Sequence, residues 1–224
     1  MRSVDVRTKV EQAALKLFAA NGVDGVSIAE IAGAAGVSQG ALYRHYSGKA
    51  ELAWALFSAA YLRTGAELDA IRERHSGFAA RIEAMVAHMC ALYDRDSALF
   101  RFMLMSQHDY LPRVAAGSRT PVSAIEDSVA EAVTAGELPP VEVPAAAAAI
   151  LGVIVQTAVF DAYGRLAGPL SARADRLAAA VLAAVAVLAG PAESGAERLS
   201  AVAGPRGSRG RGTSRSRSTA RNTS

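Results

Sequence analysis

The chain has 224 residues, 51% of them apolar and only 6% aromatic, with a formal net charge of +3. That composition suits one or two domains with a proper core, of helices packed through small side chains. Its single cysteine, Cys90, excludes an intramolecular disulfide and fits a reducing compartment. Met1 to Arg7 lead into a charged helix with no apolar leader, so the expected location is the cytoplasm. The charge is unevenly placed: residues 1–50 carry +2, residues 51–190 carry −4 and residues 191–224 carry +5. An acidic centre repels a polyanion, so nucleic-acid contact is expected only at the ends.

A first helix is expected from Asp5, as its N-cap, to Asn21. Val10, Ala14, Leu17 and Phe18 form its buried stripe, and Gly22 stops it. Ser27 and Glu30 make an S-x-x-E capping box opening a short second helix that buries Ile28, Ile31 and Ala32. Gly36 supplies a left-handed turn, Val37 plugs the angle, and Ser38 caps a third helix from Gln39 to about Tyr46. That helix buries Leu42 and turns Gln39, Gly40, Ala41, Tyr43, Arg44 and His45 outward. A short polar helix held by a preceding helix and a tight turn is a helix-turn-helix.

Ser47 is expected to cap a fourth helix, from Lys49 to about Glu73. Further helices are expected at about 78–94, 97–106, 121–135, 144–167 and 171–189, divided by Ser76-Gly77, Pro112, Gly117 to Pro121, Gly136 to Pro144 and Gly168-Pro169. No strand-like alternation appears, so the fold class is all-α. Residues 191–224 are rich in Arg, Ser and Gly without apolar periodicity, and are expected to be a disordered tail. The domain expectation is thus 1–50, 51–190 and 191–224.

Val143 to Phe160 and Leu177 to Ala192 hold no charged residue. Membrane insertion is disfavoured, because both runs are short, Ala-dominated, interrupted by Gln156 or ended by Gly-Pro, and lack interfacial aromatics. Burial between protein neighbours is favoured instead, and two such helices per chain suit a four-helix homodimer interface.

The segment from Ser27 to Leu52 resembles the N-terminal domain of the tetracycline-repressor (TetR) family of bacterial transcription regulators. The resemblance covers about residues 7–57 and includes Ala14, Leu17, Phe18, Gly22, Ser27, Ile31, Ala32, Ala35 to Ser38, Gly40, Leu42, Tyr43, His45, Tyr46, Lys49 and Leu52. It implies an N-terminal three-helix domain with the helix-turn-helix, followed by a helical ligand-binding and dimerisation domain. It also implies double-stranded DNA with a palindromic operator, a small-molecule effector and a second copy of the chain as partners. Ser27, Ser38, Gln39, Gly40, Tyr43, His45 and Lys49 fall where the family contacts DNA.

The residue chemistry agrees. Gln39 can pair with a base edge in the major groove, and Gly40 lets backbone approach. Tyr43 and His45 can donate to phosphate, Arg44 can reach a neighbouring one, and Lys49 places a cation beside a helix N-terminus. Ser27 and Ser38 are caps as well as contact candidates, and Tyr46 reads as core. Trp54, Tyr61, Met85, Met89, Tyr93, Phe100, Met103 and Phe160 supply adaptable apolar surface for an effector, with His88 and Gln156 as polar anchors. Ordinary core is the competing role for most of these. No cofactor and no metal are expected, since His88 and Cys90 diverge on a helix and no phosphate-binding loop or hydrolase motif occurs. The alternatives are an architectural DNA-binding dimer without an effector, and a helical enzyme or carrier with a vestigial helix-turn-helix. If the basic tail tethers DNA, its deletion lowers affinity equally on every sequence and flattens the salt slope in a titration; an unchanged slope contradicts that role.

Overall fold

The computed structural model describes residues 2–190, with side chains from Asp5 onward; the tail expectation for 191–224 lies outside the described residues. Among the described residues the fold is all-α, without strands: α1 Arg2–Asn21, α2 Ile28–Ala35, α3 Gln39–Tyr43, α4 Lys49–Arg74, α5 Phe78–Arg95, α6 Ser97–Tyr110, α7 Pro121–Thr134, α8 Val143–Ala162 and α9 Ala174–Ala189. Short 3-10 turns, Leu111–Arg113 and Leu170–Arg173, follow α6 and precede α9.

Two apolar clusters share α4. Val10, Ala14 and Phe18 of α1, at helical spacing, meet Ile31, Leu42, Leu52 and Phe57 in the N-terminal cluster. Phe102 and Tyr110 of α6 enter that same cluster, with Phe102 stacked on Phe18 at 5.8 Å and Tyr110 5.3 Å from the Phe57 ring. Further along α4, Ala60, Leu68 and Ile71 belong to the second cluster, built from α5, α6, α7, α8 and α9. There Ala146, Ala147, Ala158 and Ala178 are buried, so α8 and α9 approach through small side chains.

A backbone contact pins α4 to the chain entering α7. A Cβ built on Gly65 would lie 2.5 Å from the Arg119 carbonyl oxygen and 2.6 Å from the Thr120 Cα, so only glycine fits. One turn on, Asp69, 5% exposed, receives Arg72 at 3.2 Å and Arg119 at 3.7 Å. Arg72 and Arg81 both reach Glu131 of α7. Asp69 is the buried member of this set, so removing Arg72 would leave its charge poorly compensated, and the set links α4, α5 and α7.

Several boundaries differ from the sequence expectations. Asp5 lies inside the first turn of α1, where a carboxylate favours the helix dipole, rather than at its N-cap. α3 stops at Tyr43 because Tyr46 is drawn inward, buried, with its phenol donating to Glu11 of α1. Ala41 packs inward beside Leu42 instead of facing out. Ser47 does not cap α4: Gly48 holds the N-cap without a side-chain bond, and the Ser47 amide donates to Glu51. α6 runs on to Tyr110, whose ring completes the aromatic cluster. α8 ends at Ala162 rather than near 167, because Gly164 (φ 67°) adopts a left-handed stop with Arg165 N–H donating to the Phe160 carbonyl at 2.9 Å. The chain then enters α9 through the 3-10 turn, whose Leu170 and Ser171 amides donate to Asp94 at 2.8 and 2.9 Å.

α8 is long and apolar enough to cross a membrane by length and composition, with mean hydropathy 2.1 over its most apolar window, of which 28% is buried. Ala148, Gly152, Gln156 and Phe160, spaced by four, form its exposed stripe, and Val187 and Leu188 are exposed on α9.

The Gly65 contact yields a stability test. Gly65→Ala is expected to destabilise the fold by about 1–3 kcal/mol through overpacking, although alanine favours a helix intrinsically. The thermal midpoint should fall by roughly 2–12 °C, while a midpoint equal to or above the parent's contradicts the close approach.

Candidate nucleic-acid interface and neighbouring cavity

The helix-turn-helix is built by caps at both ends of a short frame. Ser27 Oγ accepts the Glu30 amide at 3.2 Å, while the Glu30 carboxylate accepts the Ser27 amide and hydroxyl, both at 2.7 Å. These bonds hold the Glu30 carboxyl below the usual carboxylate range. α2 ends at Gly36, φ 65°, where Val37 N–H reaches back to the Ala32 carbonyl at 3.0 Å. The turn delivers Ser38, whose hydroxyl accepts the Ala41 amide at 3.2 Å and starts α3.

On that frame α3 buries Ala41 and Leu42 and exposes Gln39, Gly40, Tyr43 and Arg44. Tyr43, 52% exposed, is a large aromatic with little of its ring in the core. A Cβ on Gly40 would meet only the Ser38 Oγ, at 4.0 Å, so the outer surface of the helix start is open. Ser27 and Ser38 are exposed, His45 is half-buried, and Lys49 donates to the Asp24 carbonyl at 3.2 Å. All eight candidate DNA residues therefore lie on α3 or on the helix starts and turns that frame it. Tyr46, by contrast, is tied to Glu11 and has its phenol pushed up to about 12, mainly by burial.

The candidate effector residues are more scattered. Tyr61, Met89, Phe100 and Met103 line one half-open cavity of about 230 Å³ between α4, α5, α6, α7 and α8. Trp54 instead belongs to the N-terminal cluster, with the Arg113 guanidinium 4.3 Å over its ring. Met85 is fully buried core, and His88 Nε2 sits 2.9 Å from Glu67. Tyr93 donates to Asp161 at 2.8 Å, and burial together with that carboxylate pushes its phenol up to about 12. Gln156 and Phe160 are exposed on the α8 stripe, away from this cavity. Cys90 is buried, its thiol pushed up to about 11 by desolvation and nearby Asp94, which leaves it unreactive.

Thr64, Leu104 and Gln107 also line the cavity, with Pro121 and Val122 from α7 and Leu151, Gly152 and Val155 from α8. Sequence reasoning did not single these out as cavity residues. Phe100, Met103, Leu104 and Gln107 share one helical face, so spacing alone pointed to Gln107. The α7 and α8 contributions depend on how distant helices meet, for which the local pattern carries no signal. Val155 in particular faces this cavity.

An exposed recognition-type helix behind a capped turn, on an all-helical body with a half-open cavity, is the geometry of a helix-turn-helix. The family model described as bacterial regulatory proteins of the tetR family matches residues 12–56, so the N-terminal domain is a tetR-family domain. A search of curated proteins gives no match. Solved structures similar in fold include the fatty acid degradation regulator FadR from Bacillus halodurans, with a TM-score of 0.70 at 15% identity over 79% of this chain and 94% of that one. A tetR-family regulatory protein from Rhodococcus RHA1 gives a TM-score of 0.69 at 21% identity, over 84% and 98%. The regulator FadR from Bacillus subtilis, solved with stearoyl-CoA, gives 0.63 at 17% identity, over 78% and 96%. At these identities the likeness establishes a shared fold.

The caps yield a titration test. Glu30's carboxyl is held below its unfolded value, so its contribution is present above that value and is lost as pH falls through the lower folded one. Ser27→Ala should return the Glu30 titration, followed by NMR, toward the ordinary glutamate range. Ser38→Ala should cost about 1 kcal/mol of stability. An unmoved Glu30 midpoint contradicts the capping box as the cause.

Proposed function

We propose that the protein is a cytoplasmic, dimeric transcription regulator of the tetR type that represses from a palindromic operator and is released by a small, mainly apolar molecule. The observation carrying this is the exposed face of α3, where Gln39, Gly40 and Tyr43, with Arg44 just past its end, stand exposed on a capped frame. A major groove admits such a helix, with its N-terminal side chains toward base edges. In this account Gln39 reads a base, while Tyr43, His45 and the two cap serines approach phosphates. Lys49 exchanges the Asp24 carbonyl for a phosphate.

Support for dimerisation comes from the exposed apolar stripes of α8 and α9, including Phe160 at 49% and Val187 at 56%. Residues 51–190 supply this face and the cavity, and residues 1–50 supply the DNA-reading face. Two α3 helices roughly 34–36 Å apart then read half-sites one turn apart. The fatty acid and γ-butyrolactone regulators of the same fold support a ligand-responsive body. α4 is the lever, because it lines the cavity through Tyr61 and Thr64 and enters the N-terminal cluster through Leu52 and Phe57. A coupling of about 1–3 kcal/mol would loosen DNA roughly 5- to 150-fold. An architectural dimer without an effector would leave the cavity without a role.

The test is fluorescence anisotropy on DNA from upstream of the protein's own gene, against scrambled DNA. Tight, selective binding is expected, lost in Tyr43→Ala. In Lys49→Ala it should weaken on every sequence, with the log–log salt slope reduced by about 1.8, one phosphate contact being lost in each protomer of the dimer. Leu188→Asp, at an exposed position, should give a folded monomer without selective binding; it is a cleaner dimer test than Val155→Asp, which also alters the cavity. Binding that ignores sequence and disappears with salt contradicts the proposal.

A further inference from the structure

We infer that the cavity takes a compact, uncharged, mainly hydrocarbon molecule bearing one carbonyl or hydroxyl group, with Gln107 and Gly152 setting which one. This rests on the effector role proposed above and narrows it by chemistry. Size comes first. An apolar cavity of 150 Å³ holds benzene, so about 230 Å³ suits roughly ten non-hydrogen atoms. A long-chain acyl thioester of coenzyme A is far larger than that.

Charge comes second. None of the lining residues is ionisable to a cation or a carboxylate; the ring hydroxyl of Tyr61 is the only titratable group among them, and burial pushes it up. A carboxylate or phosphate entering would lose its hydration with no cationic partner, and an ammonium would find no anion. The walls therefore reject ions of either sign, although the surrounding module is acidic.

Polarity comes third. Thr64 spends its hydroxyl proton on the Ala60 carbonyl, at 3.0 Å, and has only acceptor capacity left. The Gln107 side-chain carboxamide faces the cavity and makes no hydrogen bond to another described residue. It offers a donor and an acceptor beside the apolar side chains of Phe100, Met103 and Val155. A ligand carbonyl accepting from that amide, or a hydroxyl bonding it, satisfies both partners. Gly152 completes the selection on the α8 side. It is exposed, and a Cβ there meets nothing within 4 Å, so the wall is open where a side chain would otherwise stand.

The test uses the full-length protein, without DNA, in a calorimetric titration. The probes are a methyl ketone of about nine carbons, the carboxylate of matching length at neutral pH, and palmitoyl-CoA. The ketone is expected to bind, with the carboxylate at least roughly a hundredfold weaker and palmitoyl-CoA giving no competing heat. Gln107→Met, close in shape, should weaken the ketone roughly tenfold. Gly152→Val, confirmed to have kept the parent's oligomeric state, should weaken it, since a Cβ there stands in space left open on the cavity wall. Equal or tighter binding of the carboxylate or palmitoyl-CoA overturns the inference, as does absence of ketone binding or equal affinity in Gln107→Met. Ketone binding without any loss of DNA anisotropy upholds this ligand class and overturns the effector role instead.

Discussion

The structure depends on α4, which serves two cores along its length, with α6 joining it in both. α4 carries Leu52, Ala53 and Phe57 into the N-terminal cluster and Ala60, Leu68 and Ile71 into the other. The division falls at the aromatic group of Trp54, Phe57, Tyr61 and Tyr110, where ring centroids lie 5.3 to 6.3 Å apart. Rings at these separations fix relative orientation as well as burying area. Neither cluster can shift along α4 without disturbing these contacts. The Gly65 approach to Thr120 adds a rigid backbone stop just past them.

In the proposed regulator, that arrangement would link a cavity near the middle of the chain to a surface at its start. Tyr61 belongs both to the aromatic group and to the cavity wall, and Thr64 immediately precedes the backbone stop. Packed interiors respond to inserted volume by moving between discrete arrangements rather than deforming continuously. In the proposed regulator, pressure on Tyr61 and Thr64 would reach α1 through Phe57, and through Phe102, which stacks on Phe18. The polar set around Asp69 and Glu131 resists motion at the opposite end of α4.

Local chemistry was legible in the sequence where the determinants are local. Ser27 with Glu30, Gly36 and Ser38 specify caps and a turn within a few residues, and the structure forms each of them. Helix class and order were legible for the same reason, since apolar spacing and Gly-Pro breaks act over one or two turns. What escaped was set by distant partners. Tyr46 shortens α3 through Glu11, thirty-five positions earlier in the chain. Tyr110 extends α6 because its ring has a place against Phe57 and Trp54. Which aromatics and methionines line a cavity follows from how α4, α6, α7 and α8 cross, so Met85 and Trp54 could not be told from Met89 and Tyr61 by type. The α8 end at Gly164 was a local signal, but the later Gly168-Pro169 pair masked it.

The most direct measurement is selection of binding sites from random DNA by the full-length protein, read by sequencing. The account predicts enrichment of a two-fold symmetric motif whose half-site centres lie about one helical turn apart, roughly 10 base pairs. The same selection with Gln39→Ala should relax the preference at one position in each half-site and leave the spacing intact. Enrichment of a single asymmetric half-site, or of no motif, would contradict the account.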